Sequence, residues 1–240
     1  MLKKNKGKCI LSSVIILLPM LVGLLFWNKL PAYMPIHWGI DGTADSIGSK
    51  AFAVCGFPAI LLAVHWLGMF ITAKDPKSAE QTAKAMGMIY WIVPVISLVV
   101  NGFMYAAALE AGMDLMMLMP LLLGVMFVVV GNYLPKCKQN HTLGLKLRWT
   151  LGNEENWNAT HRFGGRVWVA GGFVFLVSAF LPQTVRILVM TVMFIPMVLL
   201  PVVYSWRYAG RQIADGRASA EDFRLASRKA EGKTYIALWI

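Results

Sequence analysis

GNYLPKCKQNHTLGLKLRWTLGNEENWNATHRFGGRVW, residues 131–168, is the longest polar interval in a chain otherwise built of apolar runs. It holds six of the 23 lysines and arginines, opens with Asn132 at the end of one run, and closes with Gly164-Gly165 at the start of the next. Its middle reads as one short helix. Asn153 is a residue type that caps free N–H groups, and Glu154 and Glu155 fall in the first turn, where the helix dipole favours negative charge. Trp157 and His161, four apart, share one face of that helix. A segment specified this closely between apolar runs is more than a linker.

The apolar runs decide the class. The chain has 240 residues, 58% of them hydrophobic, and a mean hydropathy of +0.59. Its runs approach the roughly 20 residues needed to cross a bilayer: 9–27, 51–72, 85–109, 115–133, 167–181 and 185–206. The fifth is the weakest, being short and carrying Gly171 and Gly172, and it spans only if residues 163–166 enter the interface. The expectation is an all-α membrane protein with six transmembrane helices. Residues 1–72 form a two-span unit with an external loop at 28–50. Residues 85–206 form a four-span unit with a cytoplasmic loop at 134–166, and 207–240 form a basic cytoplasmic tail.

The net charge of +11 is compatible with nucleic-acid binding, but its distribution argues otherwise. Counting ends and connections alternately, 20 lysines and arginines fall on one side and three on the other. That is a strong positive-inside bias, so both termini and the 131–168 stretch are expected in the cytoplasm, facing anionic membrane lipid and making no direct nucleic-acid contact. Cys9, Cys55 and Cys137 lie in three different settings and suggest no disulfide framework. The basic start and first apolar run resemble a signal peptide, but no small-residue cleavage site follows, so the run is read as an anchor.

The loop NKLPAYMPIHWGIDGTADSIGSK (28–50) is the second informative stretch. Pro31 and Pro35 stiffen it, Asp41-Gly42 signals a turn, and Trp38 suits a membrane interface. His37, Asp41 and Asp45 are donors on one small loop, yet their spacing matches no metal motif. A compact external cap held by turns and aromatic packing is expected, with no metal and no cofactor.

Within the spans, Pro94, Asn101 and Pro120 require partners or produce kinks. Gly164, Gly165, Gly171 and Gly172 recur at a seven-residue spacing, which permits close helix approach. His65 is an intramembrane imidazole and so a functional candidate. It has no acidic partner in any other span, and a neutral histidine bonded to a neighbouring helix is the reading adopted. In the tail, Ser219 can cap a helix whose apolar side, with Phe223, rests on the inner leaflet, and residues 235–240 can dock on membrane or bundle.

Two separated sets of residues resemble one family. Gly131-Asn132-Tyr133-Leu134-Pro135-Lys136, then Gly144, Trp149-Thr150-Leu151, Asn153-Glu154, Trp157, Thr160-His161 and Gly165, resemble the signature of the SdpI family. Its namesakes are bacterial membrane proteins that confer immunity to a secreted killing toxin and act in its signalling. Leu30-Pro31, His37-Trp38, Asp41-Gly42 and Gly48-Ser49-Lys50 resemble the uncharacterised N-terminal domain often fused to it. The chain departs from the pattern where Lys146 replaces an arginine and Leu147-Arg148 a Thr-Pro pair. Lysine lacks the planar bidentate fork of arginine.

The resemblance implies a non-enzymatic immunity and signal-transducing protein of the bacterial cell membrane. A secreted toxic peptide would meet the external loop at Pro31, His37, Trp38, Asp41 and Gly42. A small repressor would meet the inner loop at Asn132, Tyr133, Pro135, Gly144, Lys146, Trp149, Thr150, Asn153, Glu154, Trp157 and His161. The competing reading of Trp157 and His161 is an interfacial helix whose aromatic face rests on lipid. At the level of the whole chain, the alternative is a transporter or exporter of a small or peptidic substrate, with prolines as helix breaks. No matched interruptions in two halves support it. An enzyme would need a nucleophile elbow, a zinc-binding helix or a phosphate loop, and none is present.

Overall fold

The computed structural model describes residues 2, 5–39, 42–75, 77, 81, 83–110 and 115–224. The chain divides into two compact units: Met1–Ala79 with Met86–Met119, and Glu80–Ala85 with Pro120–Ile240.

The first unit holds α1 (Lys6–Leu25), a hairpin of β1 (Tyr33–Trp38) and β2 (Ala44–Ser49), α2 (Phe57–Lys74) and most of α3 (Ala83–Ala108). A π-helical turn, Phe52–Gly56, leads into α2, whose first turn accepts Pro58 because that position has no intrahelical partner to lose. The 28–50 loop, expected as a compact cap held by turns and aromatic packing, has both, and its two arms pair as a β-hairpin. Tyr33-Met34-Pro35-Ile36-His37-Trp38 alternates, and Met34 is buried against Leu30, Val54 and Met104 with Trp38 packed beside them. Pro35 has no N–H to give the ladder, and the register slips between Pro35 and His37 and again before Trp38. Gly42 supplies the expected positive φ (81°) at the turn, while Asp41 lies outside the described residues.

Polar side chains on α2 and α3 are turned onto α1. His65 lies 2.8 Å from the Ser12 hydroxyl, which donates to the Cys9 carbonyl at 3.0 Å. This is the neutral, helix-bonded histidine that the lack of an acidic partner predicts, with Nε2 carrying the proton. Ser97 and Tyr105 donate to the carbonyls of Ile16 and Pro19, beside the helix interior that Pro19 disturbs. Asn101 instead donates to Ser97 of its own helix.

The second unit holds α4 (Leu115–Tyr133), the five-residue α5 (Arg148–Gly152), α6 (Glu154–Ser178) and α7 (Gln183–Ala214). The short helix expected inside 131–168 does not stop. Asn153 caps it as expected, accepting from the Asn156 N–H at 2.9 Å, but the helix then continues for 25 residues into the glycine-rich run. Nothing between Glu154 and Ser178 breaks it, because the glycines cost helix propensity and gain contact on two sides. A β-carbon on Gly165 or Gly172 would lie 2.6 or 2.7 Å from the carbonyl oxygens of Gly131 and Gly124 on α4. Gly171 and Gly164 instead admit Met197 and Pro201 of α7. Ser219 caps the final helical turn, but Phe223 is buried against Gly152, not laid on lipid. Residues 235–240 lie outside the described residues.

Among the described residues five helices are long and apolar enough to cross a membrane: Lys6–Leu25, Phe52–Lys74, Ala85–Ala108, Met117–Lys136 and Gln183–Ala214. The chain is thus an all-α membrane protein with one small hairpin. The fifth expected span, which falls in α6, is the one not among them: that helix has the length but carries Glu154, Glu155, Arg162 and Arg166 in its first half.

Two predictions follow from this packing. If α6 crosses, a cysteine at Asn158 is shielded from an impermeant thiol reagent in whole cells, whereas cysteines at Thr43 and Thr184 are labelled. Labelling of Asn158 and Thr184 on the same side would leave five crossings. Asn158 serves because it is exposed, while its neighbour Asn156 is buried. Second, Gly165→Val forces α6 from α4 and costs about 1–3 kcal/mol. Gly210→Ala, with nothing within 4 Å, gains about 0.5–1 kcal/mol of helix propensity. Thermal unfolding in detergent separates the two.

Candidate functional site

The loop between α4 and α6 is closed onto α6 by a buried clasp. After α4 a single turn, Leu134–Lys136, begins with Pro135 near its start. The next carbonyl, of Cys137, accepts the Trp157 indole N–H at 2.8 Å. Asn140 then folds the chain back, its Oδ1 accepting from the N–H groups of Thr142 and Leu143 at 2.7 and 2.6 Å. Gly144 follows at φ 104°, and a β-carbon there would strike the His161 ring. Only glycine meets both demands without strain.

His161 fastens the far side. One ring nitrogen lies 2.8 Å from the Trp157 carbonyl and the other 3.0 Å from the Leu145 N–H. A carbonyl only accepts and an N–H only donates, so Nδ1 carries the proton, Nε2 accepts, and the ring is neutral. The Trp157 and His161 rings stack with centroids 4.0 Å apart. Both are buried, at 0% and 1% exposure. Burial pushes the His161 imidazole well below its ordinary value, with the Trp157 carbonyl opposing the shift. Thr150 completes the clasp by accepting from Leu147 N–H at 2.9 Å and donating to the Leu145 carbonyl at 2.7 Å.

A second buried group joins α6 to α7. Asn156 donates to the Ser205 carbonyl at 3.0 Å and accepts from the hydroxyls of Ser205 and Thr160 at 2.7 and 3.0 Å. Gln212 donates to Asn153 and to Glu155, each at 3.0 Å. At the surface Tyr208 donates to Glu155 at 2.7 Å, and Arg217 bridges Glu155 and Asp215. The hydrogen bonds from Tyr208 and Gln212, with Arg217 beside them, hold the Glu155 carboxyl below its usual range. Asn156, Ser205 and Gln212 carry no sequence signal, since partners 49 and 56 residues apart cannot be paired from one chain.

The residues expected to meet an inner partner therefore divide. Trp157, His161, Thr150 and Gly144 build the clasp, and Asn153 caps α6; the aromatic face is neither open to a partner nor resting on lipid. Asn132, Pro135 and Glu154 are exposed. Tyr133 is half-buried with the Lys136 ammonium 4.6 Å from its ring centre, and half-buried Trp149 lies 4.7 Å from the Arg148 guanidinium. Lys146 is half-buried. In the hairpin, Pro31 and His37 are exposed, His37 lies 2.6 Å from Asp45, and Trp38 is packed inward. Among the described residues no three His, Cys, Asp or Glu side chains gather as a metal site.

Comparison with known proteins matches this layout. Residues 136–205, the clasp with α6 and most of α7, match the SdpI/YfhL protein family. Residues 14–62, containing the hairpin, match a domain of unknown function, DUF1648. Over 211 residues the chain is 26% identical to the immunity protein SdpI of Bacillus subtilis (strain 168), covering 86% of this chain and 96% of that protein. No solved structure matches. The SdpI resemblance read from the motifs is borne out on both halves, and the chain is a multi-pass protein of the cell membrane.

The clasp carries its own prediction. His161 is neutral when folded, so its contribution to stability is full above the unfolded value of 6.5 and is lost as pH falls below it. Proteolysis after Lys138 and Lys146 is expected to quicken as pH falls from 7 towards 5. In His161→Gln, which keeps an acceptor and loses the titration, the rate stays flat. Trp157→Phe leaves the Cys137 carbonyl unpaired and costs about 1–3 kcal/mol at any pH.

Proposed function

We propose that the chain is an integral membrane immunity protein that protects its host against a secreted toxic peptide and engages a cytoplasmic regulator. The observation that carries this reading is the near-complete coverage of an immunity protein, 96% of its length. Both matched segments fall on structured polar elements, the hairpin in one unit and the clasped loop in the other.

The hairpin supplies a surface suited to an apolar peptide. Tyr33 and Ile47 stand 70% and 68% exposed, and Ile47 pairs in register with Pro35, one outward position from Tyr33. Large apolar groups left open on a small hairpin mark an interaction site rather than a core. For the regulator, the surface is the exposed rim of the clasp: Asn132, Pro135, Tyr133 with Lys136, Arg148 with Trp149, and Glu154. The transporter alternative finds less support, because the backbone at Pro19 is met by Tyr105 rather than left to line a pathway.

Expression of the chain in Bacillus subtilis lacking its own immunity protein is expected to restore survival at least tenfold under its toxin. Tyr33→Ser with Ile47→Ser lowers survival towards the unprotected level at equal membrane abundance. No gain in survival at normal abundance would remove the immunity reading, and full protection by the double variant would remove the hairpin from it.

A further inference from the structure

The close approach of α4 and α6 leaves a groove beside it with unlike ends. Gly131 and Gly165, in backbone contact, and Pro135 beside them line a cleft of about 610 Å³. One end carries Arg162 and Arg166, one helical turn apart on α6, with the Asn132 amide opposite. The other end is lined by Val169, Ala170 and Phe173, and Phe173 is 55% exposed.

We propose that this groove binds an anionic phospholipid, its phosphate between Arg162 and Arg166 and an acyl chain along Val169, Ala170 and Phe173. Charge comes first. Arginines four apart hold their guanidinium groups within reach of one phosphate, which each meets through paired N–H donors. Neither has a hydrogen bond or ion pair to another described residue. Among the described residues no carboxylate lines the groove, and Glu155, two turns earlier on α6, is already engaged by Tyr208, Gln212 and Arg217.

Length and place follow. From Arg162 to Phe173 is about 16 Å along the helix at a rise of roughly 1.5 Å per residue, which suits a headgroup and the upper part of one chain. The arginines lie on the loop side of α6, where the positive-inside distribution puts the anionic leaflet. A ligand with phosphate at one end and hydrocarbon at the other is the membrane's own lipid. With two cations and, among the described residues, no acid, the groove offers nothing to receive a choline or ethanolamine group, so it selects net negative lipid.

The test uses the full chain, purified in mild detergent and stripped of lipid. Phosphatidylglycerol, phosphatidylcholine or inorganic phosphate is added, bound lipid is counted by native mass spectrometry, and thermal stability is followed. Phosphatidylglycerol is expected to remain bound and raise the unfolding temperature by several degrees; the other two are not. Arg162→Gln with Arg166→Gln abolishes retention at the charged end, and Ala170→Trp abolishes it by filling the apolar end with both arginines intact. Three results would overturn the proposal: equal stabilisation by phosphatidylcholine, which removes charge selection; equal stabilisation by phosphate, which leaves only a free-anion site; and undiminished retention in both variants. The comparison of ligands on the unaltered chain decides the question even where a variant fails to fold, and none of its outcomes depends on toxin protection.

Discussion

Gly165 of α6 meets Gly131 of α4 so closely that a β-carbon on either would lie 2.6 or 2.8 Å from the other's carbonyl oxygen. One heptad on, Gly172 and Gly124 repeat the arrangement. In lipid, helices gain little from burying apolar surface against each other, so contact must come from packing density and backbone proximity. Two glycine pairs at a seven-residue spacing supply both and fix the register of α6 against α4. That register decides which loop residues arrive above Trp157 and His161. A slip of one residue would carry both rings out of reach of the Cys137 carbonyl and the Leu145 N–H.

The other side of α6 is held by a different means. Asn156 sits where α7 presents Ser205 and Gln212, and its amide is satisfied on both oxygen and nitrogen. A buried amide with unmet donors would cost more than its bonds return; here the network is closed and runs outward to Glu155 and Arg217. Glycine contact thus sets distance on the α4 side, and hydrogen bonding sets identity on the α7 side. The first unit uses a sparser version: Ser12, Ser97 and Tyr105 each serve one backbone carbonyl of α1.

What could be read from the sequence follows from how local the cause is. The Asn153 cap, the Gly42 turn and the seven-residue glycine spacing act within a few residues, and each does structurally what its chemistry predicts. The membrane class follows from composition alone. The pairing of the hairpin's strands is not legible because prolines within a strand weaken its signal, and Met34, its buried anchor, is indistinguishable from any other methionine. The length of α6 was missed because a polar opening and an apolar continuation resemble two segments. The depth of Trp157 and His161 was invisible for another reason. Periodicity shows that they share a face, but what covers that face is a loop whose contacts lie 20 and 16 residues away, folded there by Asn140 and Gly144.

That burial changes how loss of function at these two positions is to be understood. Trp149 is placed by its neighbour Thr150, Thr150 by the Leu145 carbonyl, and Leu145 by His161. The last two steps are single hydrogen bonds of about 1 kcal/mol net each, so an alteration of His161 reaches the rim without touching a partner itself. A substitution at His161 that abolishes signalling therefore reports the shape of the rim, and only substitutions at the rim's own side chains, Trp149, Arg148, Glu154 or Asn132, report contact. The same logic covers the departure at Lys146-Leu147-Arg148. The family's proline falls at Arg148, the first residue of α5, where no intrahelical bond would be lost to it, and its threonine falls at Leu147, whose N–H is bound by Thr150 whatever the side chain. The difference from the family pattern therefore leaves this backbone geometry in place and acts through the side chains on the rim.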